Sequence, residues 1–244
     1  MGNIFFKIWF LSSVSFATPK LLRMYKTKKF NLGAVYNNHL YSGIIGVFMK
    51  YCHKNLESFK TDNIFSKVLE IGAGTAPHTT YIKHKFDSYY IVETSDFAID
   101  YLKKEGLKKV IKYDGKNLPF EDSFFDRIII SHVLEHVNNP EEFIMEMMSK
   151  LKKGGILSIA LPTDPGLLWR VSRNMIKILS LNRSQKLSNM EYDYVNSIEH
   201  INSIFNLRNI IKYHFSACIQ EKFLPFRIKL PDINLFYNVH ITKL

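Results

Sequence analysis

From Ser66 onward, short apolar runs alternate with stretches of helical periodicity, the pattern of a parallel sheet covered on both faces. It predicts five strands in order: Val68 to Ile71, Tyr89 to Glu93, Val110 to Tyr113, Arg127 to Ser131 and Ile156 to Leu161. Between the fourth and fifth, Phe143, Met147, Met148 and Leu151 recur at helical spacing, predicting a helix over Asn138 to Lys152 with Gly154-Gly155 as its stop. That stripe reads as core. After Pro162 the rhythm breaks into a long irregular segment, Thr163 to Ser197, carrying Trp169, Tyr192 and Tyr194. A helix from about Ile198 to Lys212 and two late strands, around Phe215 to Lys222 and Leu235 to Ile241, complete a seven-stranded α/β architecture. The chain divides into an N-terminal helical extension (1–64), an α/β core (65–162), an insertion (163–200) and a C-terminal helix with the last strands of the same sheet (201–244).

Candidate chemistry begins where the first strand opens into Gly72-Ala73-Gly74, since glycine lets backbone approach a ligand closely and tolerates positive φ. A dinucleotide fingerprint G-x-G-x-x-G would need a third glycine where this chain has Pro77. Glu93 ends the second strand, where a carboxylate can accept hydrogen bonds from both hydroxyls of a ribose; the alternative is a surface cap on the helix that follows. Asp114 follows the third strand and precedes Gly115-Lys116-Asn117-Leu118-Pro119-Phe120. His132 and His136 lie four apart and share a face if the intervening residues form a helical turn. His78, beyond the glycine turn, is either a further candidate or a polar contact at a helix start; His200 is a candidate or a satisfied core imidazole. Asp164 and Trp169 lie where open α/β sheets place ligands.

Four blocks, VLEIGAGTAPHT, IVE, YDGKNLPFEDSFFDRIIISHVLEHV and LKKGGILSIALP, resemble in order and spacing the class I S-adenosylmethionine-dependent methyltransferases. The resemblance implies a Rossmann-like, mostly parallel seven-stranded sheet with helices on both faces, and S-adenosylmethionine as cofactor. It places Glu70, Gly72, Ala73 and Gly74 at the methionine and sugar portion, Glu93 at the ribose, and Asp114 with Gly115 at the adenine. Ser131 and His132 would face the reactive methyl, with His132 the first candidate for a base and His136 beside it. Pro77 departs from the small residue usual there and leaves the shape of the turn open. In-line displacement at a sulfonium mainly needs an aligned, desolvated acceptor; a hydroxyl acceptor also benefits from a base.

The C-terminal runs LPTDPGLLWRVSR, EYDYVNSIEHINSIFNLRNII and LPFRIKLPDINLFYNVHI, with YSGIIGVFMKYCHKNLE near the start, look like methyltransferases of bacterial surface-polysaccharide biosynthesis. This implies a sugar hydroxyl of a nucleotide sugar or lipid-linked glycan as acceptor; Trp169, Tyr192 and Tyr194 are either flat platforms for sugar rings or the packing of a lid against the sheet. Other readings are a small-molecule or phospholipid methyltransferase and a non-catalytic binding protein. Nucleic acid is not expected: Ser131-His132-Val133-Leu134 stands where amino-group nucleic-acid methyltransferases carry N-P-P-Y, and no Pro-Cys nucleophile occurs.

Charge adds little to the choice. The 33 Lys and Arg against 22 Asp and Glu suit anionic surroundings, with runs at Lys20 to Lys29 and Lys103 to Lys112 that also read as solvated faces. Cys52 and Cys218 lie far apart without a metal-ligand partner at C-x-x-C spacing, so no disulfide or zinc ligands are read and a reducing compartment fits. Ile4 to Ala17 is apolar, with a Ser15-x-Ala17 pair that resembles a signal-peptidase site and leaves a cleaved signal as an alternative, but it is too short to span a bilayer as a helix and the cationic run after it resists translocation. A cytoplasmic protein is expected, with peripheral contact of this N-terminus at the inner membrane face as a further reading and Met24 as a second start site.

Overall fold

Seven strands join in one sheet whose order is β3-β2-β1-β4-β5-β7-β6. They are β1 (Phe65–Ile71), β2 (Phe86–Glu93), β3 (Val110–Lys112), β4 (Phe125–Ser131), β5 (Leu151–Pro162), β6 (Ile219–Leu224) and β7 (Phe236–Thr242). This is a computed structural model that describes residues 43–59, 64–179 and 188–244. The expectations for Ile4 to Ala17 and for Lys20 to Lys29 lie outside the described residues. Neighbouring strands through β5 run parallel, whereas β7 pairs antiparallel with β5 and β6.

Strand parity sorts the core. On one face Leu69, Ile71, Val92, Ile128 and Ile130 pack with Phe143, Ile144 and Met147 of α3 (Pro140–Lys150) and Ile204, Leu207 and Ile211 of α6 (Ile204–Phe215). On the other, Val68, Ile129 and Ala160 pack with Met49, Cys52 and Leu56 of α1 (Gly43–Leu56). Ile91 and Val110 receive Ile99 and Leu102 of α2 (Asp96–Lys104). Alternation with both faces covered explains why the strands read as nearly continuous apolar runs.

The segment expected to be irregular holds two helices, α4 (Leu167–Ile178) and α5 (Asn189–Glu199). A capping box at Ser188 and Glu191 starts α5, and Lys177 of α4 binds Asp193 of α5 at 2.9 Å. The late helix accordingly begins at Ile204 rather than Ile198, with Ser203 as its cap. Of the suggested aromatic platforms, Tyr192 is buried against α4, with the Arg173 guanidinium 5.9 Å from its ring centre. The basic residues near α2 lie along solvated edges, with Lys112 on Asp96 at 2.6 Å and Lys109 on Ser88 at 2.6 Å. Among the described residues, no helix is long and apolar enough to cross a membrane.

Gly154-Gly155 does not stop α3, which ends at Lys150 and passes directly into β5. The pair lies in a bulge instead: Phe125 aligns with Leu151 but Arg127 aligns with Ile156, so β5 carries extra residues against β4. Gly154 takes φ +76° with open space at its Cβ position, whereas a Cβ on Gly155 would sit 2.8 Å from the Lys152 carbonyl oxygen and 3.1 Å from that of Asp126. Gly154→Ala should therefore cost about 1 to 2 kcal/mol in conformational strain, and Gly155→Ala should cost more, because backbone must move. Urea unfolding of the two variants checks the order; equal losses would refute the assignment of close approach to Gly155.

Candidate functional site

The glycine turn, Glu93, Asp114, Ser131 and His132 all fall at the carboxyl ends of strands, the edge where open α/β sheets bind ligands. Gly72 takes φ +64°, and a Cβ there would meet a Val133 methyl at 2.6 Å, so glycine lets the chain leaving β4 close over the turn. Gly74 takes φ +58° with nothing within 4 Å of its Cβ position. Its N–H donates to Glu93 Oε1 at 2.5 Å, while Thr94 N–H donates to Oε2 at 3.1 Å. Glu93 thus ties the end of β2 to the turn, and with Ser95 as a third backbone donor its carboxylate keeps capacity for a further hydrogen bond. Burial raises its pKa, opposed by backbone donors from Gly74, Thr94 and Ser95.

Pro77 does not open an α-helix; after Ala76 at φ +53° it starts a short 3-10 turn, Pro77–Tyr81. The Glu70 carboxylate is buried and accepts from Tyr89 Oη at 2.6 Å, and burial raises its pKa. It braces the sheet next to the turn. Asp114 is exposed, and its Oδ1 accepts from Lys116 N at 2.8 Å and Asn117 N at 3.1 Å. These backbone donors lower its pKa and shape the loop in which Gly115 takes φ +83°, leaving Oδ2 outside the turn.

The histidines form two groups. In the first, Arg127 of β4 is fully buried and pairs with Glu57, just past α1, through Nη1 to Oε2 at 3.0 Å and Nη2 to Oε1 at 2.7 Å. His78 is likewise buried, its Nε2 donating to Glu57 Oε1 at 2.8 Å and its Nδ1 lying 3.0 Å from Nδ1 of His53. It is a member of this network, not a polar contact at a helix start. His53 lies 3.5 Å from Ser131 Oγ, stacks on Tyr81 at 5.7 Å and faces His132 at 6.1 Å.

The second group gathers around Glu135. His132 takes φ +57°, its N–H held by the Ala160 carbonyl at 2.9 Å, and its Nδ1 lies 3.6 Å from Glu135 Oε1. Its Nε2 is buried without a hydrogen-bond partner among the described residues. His136 Nε2 lies 3.9 Å from the same Glu135 oxygen, so the two histidines meet across a carboxylate; the turn between them, Leu134–His136, is 3-10 rather than α-helical. Burial disfavours the Glu135 charge, but His132, His136 and His200 outweigh it and hold the pKa low. His200 binds Asp164 Oδ2 through Nδ1 at 2.8 Å and stacks on Trp169.

Sequence reasoning passed over His53, Glu57, Arg127 and Glu135 as functional positions. Arg127 carried the signal: an arginine inside the apolar run of a central strand demands a buried acid from elsewhere.

A sheet in this order, with a glycine turn after β1 and an acid closing β2, is the class I methyltransferase fold. Residues 69–159 match a family model described as "Methyltransferase domain". The chain is 36% identical over 109 residues to a demethylmenaquinone methyltransferase of Paenarthrobacter aurescens, covering 43% of this chain and 42% of that one. It is 31% identical over 116 residues to the mitochondrial ubiquinone biosynthesis O-methyltransferase of Schizosaccharomyces pombe, covering 43% and 41%. An uncharacterized protein of Methanocaldococcus jannaschii is 33% identical over 106 residues, 43% of this chain and 49% of that one. The chain thus spans about half the length, or less, of these curated relatives. Among solved structures, a possible histamine N-methyltransferase of Thermotoga maritima superposes with a TM-score of 0.58 at 20% identity, over 89% of this chain and 99% of that one. The plantazolicin methyltransferase does so with a TM-score of 0.59 at 16% identity, over 94% and 92%.

Burial, then the charges of His78 and His132, push His53 down to about 2; burial and Arg127 push His240, on Ser158 at 3.0 Å, down to about 3. Both are neutral when folded, so below an ordinary imidazole value of about 6.5 the unfolded chain binds more protons and stability falls with pH. Each should cost about 1 kcal/mol between pH 6.5 and 5.5. Urea midpoints across that range check this, and His240→Asn should flatten the slope; an unchanged slope would remove His240 as a contributor.

Proposed function

We propose that this chain transfers a methyl group from S-adenosylmethionine to an oxygen of a small-molecule acceptor. The observation that carries the reading is the Glu93 carboxylate fixed on the amides of Gly74 and Thr94. It stands beside a glycine with open space above it, inside the segment that matches a methyltransferase domain.

S-adenosylmethionine supplies an electrophilic methyl group on a cationic sulfur. Glu93 would accept hydrogen bonds from the ribose hydroxyls, and Asp114 with the Gly115 loop would hold the adenine; the spare carboxylate lone pairs and the strained glycines fit these tasks. The backbone of Gly72, Ala73 and Gly74 leaves room for the methionine portion. His132 is the base for the acceptor proton: Glu135 lies on its Nδ1 side, which leaves Nε2 to receive a proton. His53 and Phe236 face the His132 ring, and Trp169 packs on Phe236 behind it, which limits water.

Within that class, the sugar hydroxyl implied by the C-terminal resemblance competes with an aromatic hydroxyl, suggested by a curated relative named for O-methylation in ubiquinone biosynthesis. Burial of Tyr192 and stacking of Trp169 on His200 take aromatic faces away from a sugar platform and favour the small aromatic acceptor.

Calorimetry with S-adenosylhomocysteine should show saturable binding that Asp114→Ala and Glu93→Ala weaken, the latter by about tenfold or more. No binding by the wild type would end the methyltransferase reading. With labelled cofactor, label should pass to catechols or hydroquinones in preference to nucleotide sugars; the reverse preference would restore the saccharide reading. His132→Asn should lower kcat at least about a hundredfold while cofactor affinity holds, and unchanged turnover would remove it as the base.

A further inference from the structure

We propose that Glu135, His136 and His200 form a binding site for a borderline divalent transition ion of the Zn²⁺ or Co²⁺ type. One ligand atom from each, two imidazole nitrogens and a carboxylate oxygen, lie within 4.8 Å of one another. Ligand atoms on a common tetrahedral ion at about 2.1 Å would lie about 3.4 Å apart, so modest side-chain rotation would close the set. Two imidazoles with one carboxylate is a donor combination that suits such ions and leaves a coordination position open.

Three independent features point to a ligand rather than to a simple polar cluster. Glu135 is almost wholly buried, yet its Oε2 has no hydrogen-bond partner among the described residues. His136 Nδ1 contacts the Glu199 carbonyl oxygen at 2.5 Å, and a carbonyl can only accept, so the ring proton sits on Nδ1 and the lone pair on Nε2, the atom nearest Glu135. His200 repeats the arrangement: Asp164 Oδ2 takes its Nδ1–H at 2.8 Å, leaving Nε2 as the lone-pair nitrogen. A histidine whose second nitrogen is fixed by a carbonyl or carboxylate is how metal-ligating imidazoles are oriented.

The backbone holds the two halves in register. The N–H groups of Ile201 and Asn202 both donate to the Glu135 carbonyl at 3.1 Å. The Asn202 amide donates to the carbonyls of Leu134 and Val137 at 3.1 and 2.6 Å. His200 therefore cannot drift from the Leu134–His136 turn without breaking four hydrogen bonds. About a third of the His136 side chain is exposed, so an ion can enter from solvent. On the methyl-transfer reading above, on which this role alone rests, the ion would ligate the acceptor oxygen and make its proton easier to remove.

The test uses the full chain stripped with a chelator and titrated with Co²⁺, followed by its visible absorption, with Zn²⁺ as competitor. One ion per chain should bind saturably with a tetrahedral-type spectrum that Zn²⁺ abolishes. His136→Ala and His200→Ala should each weaken binding at least about tenfold, as should Asp164→Asn through loss of the fixed tautomer. His214→Ala, which removes a surface histidine paired with Glu141, should leave the titration unchanged. Circular dichroism confirms that each variant is folded. Absence of saturable binding by the wild type, or equal binding by folded His136→Ala and His200→Ala variants, would overturn the proposal. Because the readout is metal binding, a chain that binds S-adenosylhomocysteine but not Co²⁺ refutes only the metal site, and the converse refutes only the methyltransferase reading.

Discussion

A guanidinium in the central strand of a sheet covered on both faces cannot stay charged without a buried partner, because desolvation costs several kcal/mol and arginine does not give up its proton. Arg127 meets this constraint through two hydrogen bonds to Glu57, a third to Ser158 and the face of Phe59 at 4.6 Å. Burial alone would raise the Glu57 pKa, but His78 and Arg127 outweigh it and hold the carboxylate firmly ionised. Much of the site follows from that pairing. Glu57 fixes the end of α1, and His78 joins the same carboxylate, drawing the 3-10 turn after the glycines onto α1. His53 is then set between His78 and Ser131 at the ligand edge of the sheet.

The glycine turn is held from a second direction. Glu93 grips the Gly74 amide from the neighbouring strand, and Val133 packs where a Gly72 side chain would be. Cofactor-side geometry therefore depends on hydrogen bonds made by backbone groups at two positive-φ glycines, a conformation that other residues adopt only with strain. The acidic residues divide the labour accordingly: Glu70 is sealed beneath Tyr89, Glu93 is buried but retains lone pairs, and Asp114 is open to solvent.

Strand identity was legible because buried parallel strands write themselves as apolar runs, and each of the seven was placed, with errors only at the ends. The pairing order is not written in periodicity and comes from the structure alone. Helices α4 and α5 went unread for different reasons: α4 carries Leu167, Leu168, Val171, Met175 and Ile178 at helical spacing, a stripe passed over because the strand-helix rhythm breaks after Pro162, whereas α5 is marked mainly by its capping box at Ser188. Gly154-Gly155 misled because a glycine pair marks a helix stop and a bulge equally well, and only the β4 register separates them. The glycine turn and the acids at strand ends could be located from position alone. The histidine network could not, since His53 and Glu57 reach the site only because α1 folds back over β4, a contact between residues 70 positions apart.

The histidine cluster around Glu135 is built on a different principle. Residues 200 to 202 reach it from beyond α5, yet they attach to the turn after β4 through main-chain donors and one asparagine amide rather than through apolar packing. Such bonds fix distance and tautomer while leaving the side chains of α4 and α5 free to vary, because a backbone carbonyl presents the same acceptor whatever residue carries it. Asp164 strengthens the link from the other end, binding His200 through its carboxylate while its carbonyl accepts from Ile204 at the start of α6. The two imidazoles are thus oriented from different elements, His136 by the Glu199 carbonyl at the end of α5 and His200 by Asp164 just past β5.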